Sequence, residues 1–169
     1  MTNWRRTTRV VAAGSGLALV LLWAGPTSAE PGGGWFGPGQ LSVRGAAMSQ
    51  GDNGSYGLGV WARTAGDPED ARGQFRAGHD GPDGTWGVAG SVDCLRRDAS
   101  GLVLVSGQVF GSGGQDHAGE DFSATIDVDG DPQRFSDVVL AAPGTVSPCQ
   151  GGMPGFHDVT RGGYEVTGD

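Results

Sequence analysis

The sequence contains no lysine, and its 11 arginines are outnumbered by 19 acidic residues, which gives a formal net charge of −8. A surface of this sign repels nucleic acid and anionic membranes, so we expect neither as a partner. The sequence also lacks a nucleophile elbow, an HExxH helix and a phosphate-binding Walker loop. Because these catalytic motifs are missing, the sequence does not indicate an enzyme, and we expect no cofactor.

Long apolar runs are absent except for one near the N-terminus. A head with three arginines precedes the apolar residues 10–23, and small residues follow at 27–29. This pattern is typical of a secretory signal peptide that is cut before Glu30. The 14-residue run is shorter than the roughly 20 residues of a membrane-spanning helix. We therefore expect a signal peptide over residues 1–29 and a secreted protein with no stable membrane anchor after cleavage.

Large apolar residues are scarce, whereas the chain has 34 glycines and 9 prolines. Such a composition lies close to that of disordered proteins, so an ordered fold must be argued from the residue pattern. Residues 30–39 are rich in glycine and proline and are expected to form a leader. The folded domain is expected over residues 40–169.

Apolar and polar residues alternate in many short segments after residue 40. In one of them, Trp86, Val88, Val92 and Cys94 share a face. Turn-forming residues, such as those at 80–84, separate these segments. The pattern predicts an all-β fold, a single antiparallel β-barrel of about eight strands, with a β-sandwich as the alternative. Glycines within the strands suit the tight coiling of a closed sheet and so favour the barrel.

Cys94 and Cys149 are the only cysteines in the chain. In an exported protein they are expected to form a disulfide bond. The bond would close a loop of about 55 residues and stabilise the fold by roughly 4 kcal/mol. The alternative is a pair of free thiols or metal ligands, but no histidine has the spacing of a zinc site with them.

Several short glycine-containing motifs follow one another in an order typical of a known family. They are Gly37-Pro38-Gly39-Gln40-Leu41, Tyr56-Gly57-Leu58-Gly59-Val60, Gly90-Ser91-Val92-Asp93-Cys94-Leu95, Val105-Ser106-Gly107, the stretch 122–130, Ser136-Asp137 and Gly162-Gly163-Tyr164-Glu165-Val166. Over residues 36–168 the chain resembles the post-COAP-1 domains, which are small secreted bacterial β-barrels. The resemblance implies a barrel fold and no particular activity. The stretch 148–156, which holds Cys149, departs from the family pattern.

Inward-facing aromatic residues are the candidate ligand-binding side chains, namely Tyr56, Trp86 and Phe122. Small barrels can hold a ligand between such residues. Our leading hypothesis is a secreted, non-enzymatic barrel that binds an extracellular partner or has a structural role. A small-ligand carrier with an apolar cavity is the alternative. An unrecognised hydrolase or isomerase would require polar side chains to meet inside the barrel.

Three aspartates, Asp127, Asp129 and Asp131, resemble the first half of a calcium loop. The sixth and twelfth positions of that loop should be glycine and glutamate, but they are Pro132 and Val138 here. A solvated turn is therefore the favoured interpretation of these residues, and a metal site of looser geometry is the alternative.

Three histidines and one tryptophan are further candidates. His79, His117 and His157 share no local spacing, so surface histidines are favoured over a zinc or copper site at one end of the barrel. Trp61 faces away from the side on which Tyr56 lies. It forms either an exposed binding surface or a patch covered by the leader.

Overall fold

The computed structural model describes residues 40–113, 117–146, 149–151 and 155–168. The expected signal peptide (1–29) and leader (30–39) lie outside these residues. A short 3-10 turn occupies Pro68–Asp70. The strands are β1 (Leu41–Gly51), β2 (Gly54–Arg63), β3 (Arg72–Gly81), β4 (Gly84–Arg97), β5 (Val103–Gly113), β6 (Asp121–Asp127), β7 (Arg134–Ser136), β8 (Val139–Ala141), β9 (Phe156–Asp158) and β10 (Arg161–Gly168). None of the described residues belongs to a helix that could cross a membrane.

All strands belong to one antiparallel sheet. Nine of them follow one another in the order β10-β1-β2-β3-β4-β5-β6-β7-β9, and β8 pairs with β6. The last two strands, β9 and β10, are separated by only Val159 and Thr160, yet they pair with opposite ends of this order, β7 and β1. The sheet is therefore curled into an incompletely closed barrel, and the predicted all-β barrel with about eight strands is confirmed.

The side chain of Gln133 bridges the two ends of the curled sheet. Its amide oxygen accepts a hydrogen bond from the backbone nitrogen of Tyr164 (2.8 Å), and its amide nitrogen donates to the Tyr164 carbonyl (3.0 Å). The backbone nitrogen of Val159 donates to the Gln133 carbonyl, and that of Thr160 donates to the Met48 carbonyl (2.8 Å each). A side-chain amide thus occupies the place of a neighbouring strand, because it offers the same donor and acceptor as a peptide group.

The interior of the barrel is filled by side chains. Phe75 and Phe122 are fully buried and stack with their ring centroids 3.3 Å apart. A Cβ atom at Gly107 would lie 2.8 Å from the Phe122 ring, and one at Gly90 would lie 2.3 Å from the Phe75 ring. A backbone carbonyl oxygen of the neighbouring strand would be closer still, 1.9 Å at Gly107 and 2.2 Å at Gly90, so both positions require glycine. The other largest fully buried residues of this core are Leu41, Val43, Leu58, Val60, Leu95, Val103, Val105, Val109 and Ile126.

A disulfide joins Cys94 in β4 to Cys149, with 5.3 Å between the Cα atoms, which confirms the predicted bond. Residues 142–146 and 149–151, here called the strap, are thereby attached to the sheet. Cys94 does not share the face of Trp86, Val88 and Val92, so that prediction is wrong. The register against β5 shifts between Val92 and Cys94, and the extra residue, Asp93, reverses the alternation of the strand. Cys94 therefore points to the outer face of the sheet.

Candidate functional site

Three inward-facing residues lie side by side near the β1–β2 and β3–β4 hairpins. Tyr56 in β2 is directly opposite His79 in β3, and His79 is directly opposite Trp86 in β4. The ring centroids of Tyr56 and His79 are 4.3 Å apart, and those of His79 and Trp86 are 6.5 Å apart. All three side chains are half-buried. Cross-strand pairing therefore builds a row of aromatic and imidazole rings at this end of the barrel.

A second imidazole reaches the same place from β9. The His157 ring stacks on Tyr56 at 4.4 Å with an interplanar angle of 19°. Its Nε2 lies 2.6 Å from Oδ1 of Asp137. The side chain of His157 is 23% exposed, so a dissolved molecule can reach it. Tyr56, His79, Trp86, Asp137 and His157 are called the barrel-end cluster below.

The hydrogen bonds of the two imidazoles fix which nitrogen carries the proton in the neutral ring. Nε2 of His79 lies 3.1 Å from the carbonyl oxygen of Asn53, and Nε2 of His157 contacts a carboxylate. Both oxygens only accept hydrogen bonds, so Nε2 is the donor in each case and Nδ1 is the acceptor. The cluster therefore combines aromatic faces with a phenol hydroxyl and two imidazoles, whose Nδ1 atoms accept hydrogen bonds when the rings are neutral.

The structure brings together two of the three predicted ligand-binding residues. Tyr56 and Trp86 both neighbour His79, whereas Phe122 is fully buried against Phe75 in the barrel interior. Among the described residues, the Phe122 ring stacks on Phe75 and makes no ring contact with Tyr56 or Trp86. A ligand of this barrel would lie at its end and not at its centre.

The three aspartates of the predicted metal site make separate contacts. Asp127 forms an ion pair with Arg134 (2.5 Å), and Asp129 forms one with Arg97 (2.6 Å), while Asp131 is exposed. Within the described ranges, no group of three or more potential metal ligands is present. Because two of the carboxylates are neutralised by arginines, the structure gives this predicted site no support.

The three histidines do not form one cluster either. His79 and His157 each contact Tyr56, whereas His117 hydrogen-bonds to Glu120 at 2.9 Å. His79 lies on the inner face of β3, directly opposite Tyr56. The sequence pattern gave no signal that His157 reaches the same end, because β9 is brought there by pairing with β7.

A small cavity of about 40 Å³ lies beside the strap, lined by Asp93, Ser106, Gly107, Asp121, Phe122 and Val146. Oδ2 of Asp121 accepts hydrogen bonds from the backbone nitrogens of Thr145 (3.0 Å) and Val146 (3.2 Å). Asp93 is an exposed residue at the edge of this cavity, and partial desolvation of its carboxyl, reinforced by the nearby Asp121 carboxylate, raises its pKa. The cavity holds at most a few water molecules and is too small for an organic ligand.

Comparison with known proteins adds no function to this geometry. No family model, no curated protein and no solved structure matches the chain. The resemblance to post-COAP-1 domains therefore stays a prediction.

Proposed function

We propose that this chain is a secreted, non-enzymatic binding protein that holds a small planar ligand at the barrel-end cluster. The observation that carries the proposal is the half-buried stack of His79, Tyr56 and His157 beside Trp86. Rigid strands hold these rings, and ligand sites typically combine such aromatic surfaces with a few fixed polar groups. A planar molecule can stack on the rings while its polar edge bonds to an imidazole nitrogen.

Export of the protein is supported by two observations of different kinds. The sequence has the pattern of a signal peptide, and Cys94 forms a disulfide with Cys149. Stable disulfides are typical of proteins outside the cytoplasm. The carrier alternative, with an apolar ligand inside the barrel, is less well supported because Phe75 and Phe122 occupy the interior.

The ligand-binding proposal is tested with phenol and cyclohexanol, which match in size and hydroxyl group but differ in planarity. We expect phenol to shift the imidazole NMR signals of His79 and His157 with a Kd of about 1 mM, or about 4 kcal/mol. Cyclohexanol should shift them far less. Tyr56→Leu should weaken phenol binding about tenfold, whereas Phe110→Leu, which changes a 62% exposed aromatic residue outside the cluster, should not change it. Equal shifts with both alcohols, or none, would contradict the proposal.

An acid–base enzyme is the second candidate, and the Asp137–His157 hydrogen bond beside Tyr56 is the observation that favours it. A carboxylate-oriented imidazole is a common general base. The test is hydrolysis of 4-nitrophenyl acetate by the wild type and by His157→Gln. A binding protein predicts rates that agree within about twofold. A fall in kcat/KM of about 100-fold, the usual contribution of a general base, would replace the binding proposal with an enzymatic one.

A further inference from the structure

The arginines are unevenly distributed over the barrel surface. On the outer face of β10, β1, β2 and β3, the acidic side chains are Asp80 and Glu165. This face carries five of the eight arginines found between residues 40 and 168, and all five are exposed: Arg44, Arg63, Arg72, Arg76 and Arg161. An acidic protein thus presents one face with a local excess of positive charge.

Trp61 lies in the middle of this face. It is directly opposite Arg44 in β1 and Gln74 in β3. Its six-membered ring lies over Gly59, where a Cβ atom would be only 2.8 Å from the ring. Gly59 therefore allows the indole to lie against the sheet, with Ala46 beside it. The half-buried indole is an aromatic platform on the outside of the barrel.

Cross-strand pairing compensates only part of this positive charge, since Glu165 in β10 is directly opposite Arg44. Arg63 and Arg72 are directly opposite one another, and like charges in such a pair destabilise a sheet. Nη1 of Arg72 donates to the carbonyl of the adjacent Ala71 (2.8 Å) and not to a carboxylate. Among the described residues, Arg44, Arg63 and Arg161 form no ion pair within 4.0 Å. A bound external anion would reduce the repulsion between these like charges.

A row of four directly paired glycines lies next to Trp61 on the same face, namely Gly57, Gly78, Gly87 and Gly113. None of them has a positive φ. At Gly87 and Gly113 the nearest atom to an added Cβ would be 3.7 and 3.9 Å away, so the packing of the sheet does not require glycine there. The row leaves a flat strip beside the indole, along which an extended chain can lie.

We propose that this arginine–tryptophan face binds an anionic, carboxylate-bearing polysaccharide. One sugar ring stacks on Trp61, since the indole offers a broad apolar surface. Carboxylates of neighbouring sugars pair with Arg44, Arg63 and Arg72, whose guanidinium groups suit planar oxyanions. Neighbouring strands are about 4.8 Å apart and residues about 3.3 Å apart along a strand, so Arg44 in β1 and Arg72 in β3, two positions from Gln74, stand about 12 Å apart diagonally across the indole.

The net charge of −8 is compatible with this partner. At physiological ionic strength, interactions between charges are screened beyond about 8 Å. The charges on the arginine–tryptophan face, and not the net charge, therefore determine whether a polyanion is attracted to it. Duplex DNA carries one charge per roughly 1.7 Å and would also meet the acidic remainder of the surface. A polysaccharide with sparser charges avoids most of that repulsion. A sugar polymer is therefore favoured over nucleic acid.

The test measures binding to polygalacturonate at low salt. We expect Trp61→Ala, and separately the double variant Arg44→Gln/Arg63→Gln, to raise Kd at least about tenfold, which equals about 1.4 kcal/mol. The double variant Arg97→Gln/Arg134→Gln is the matched control, because it removes the same charge from ion pairs elsewhere. It should change Kd less than about twofold, because Arg97 lies in β4 and Arg134 in β7, outside the arginine–tryptophan face.

Four outcomes would overturn the inference. They are unchanged binding by both test variants, equal binding of fully methyl-esterified polygalacturonate, tighter binding of phosphatidylglycerol vesicles, and tighter binding of single-stranded DNA. If Trp61→Ala lowers the melting temperature strongly, the arginine variant decides the question alone. The barrel-end cluster is not involved, so phenol binding should be the same in all of these variants.

Discussion

Replacing both cysteines, as Cys94→Ser/Cys149→Ser, tests how much the disulfide stabilises the barrel. The two residues are 55 positions apart in the sequence. For a loop of this length, the chain-entropy relation gives an entropy loss of about 14 cal/mol/K in the unfolded state. This corresponds to about 4 kcal/mol at 25 °C, a large share of the usual stability of about 5–15 kcal/mol. The variant should therefore be much less stable than the wild type.

The expected change in melting temperature follows from the size of the domain. For a domain of about 130 residues, 1 kcal/mol corresponds to roughly 4 °C, so the melting temperature should fall by about 15 °C. Local contacts add to the loss. In the strap, the backbone nitrogen of Cys149 donates a hydrogen bond to Oγ of Ser106 (3.1 Å). The strap also lies beside the buried side chain of Leu104.

Thermal unfolding followed by far-ultraviolet circular dichroism measures this effect. The oxidised wild type is compared with the double variant and with the wild type under a phosphine reductant. The two perturbed samples should melt at about the same temperature, and the reductant should leave the double variant unchanged. A fall in melting temperature of less than about 5 °C in both samples would refute the loop-entropy argument. It would show that linking residues 55 positions apart does not substantially reduce the conformational entropy of the unfolded chain.

Three further substitutions test the packing, the barrel seam and one carboxyl group. Gly107→Ala should destabilise the fold by about 3 kcal/mol, because its Cβ would lie 1.9 Å from a carbonyl oxygen of β4. Gly111→Ala is the control and should be nearly neutral, because its Cβ would have no atom within 4 Å. Similar urea midpoints for the two variants would contradict this. Gln133→Leu should cost about 1–3 kcal/mol and speed hydrogen exchange of the Tyr164 amide, because both hydrogen bonds across the seam are lost; unchanged exchange would show that the seam does not depend on this side chain. Asp93→Asn should be more stable than the wild type at neutral pH, because burial raises the pKa of this carboxyl from its ordinary value of 3.8 and so disfavours the charged form. This difference should disappear below about pH 3.8, where the wild-type carboxyl is protonated in both folded and unfolded states, and urea unfolding at two pH values would reveal the opposite order if the reasoning is wrong.

The alternation of apolar and polar residues was enough to predict the fold class. It placed Tyr56 and Trp86 on the inner face, and it placed Trp61 on the outer face. It failed at Cys94, because a single extra residue at a bulge reverses the alternation and no local signal announces the bulge. The disulfide itself was predictable, since the chain has only two cysteines.

Neighbouring positions across the sheet could not be predicted from the same pattern. A period of two decides which face a side chain occupies, but the register between strands decides which side chains meet. Register brings His157 to Tyr56, places Arg63 opposite Arg72, and aligns the glycine row. The sequence by itself therefore determined an all-β chain with a disulfide and an inner and an outer face. Only the tertiary structure decided the barrel-end cluster and the arginine–tryptophan face, because both depend on contacts between residues far apart in the chain.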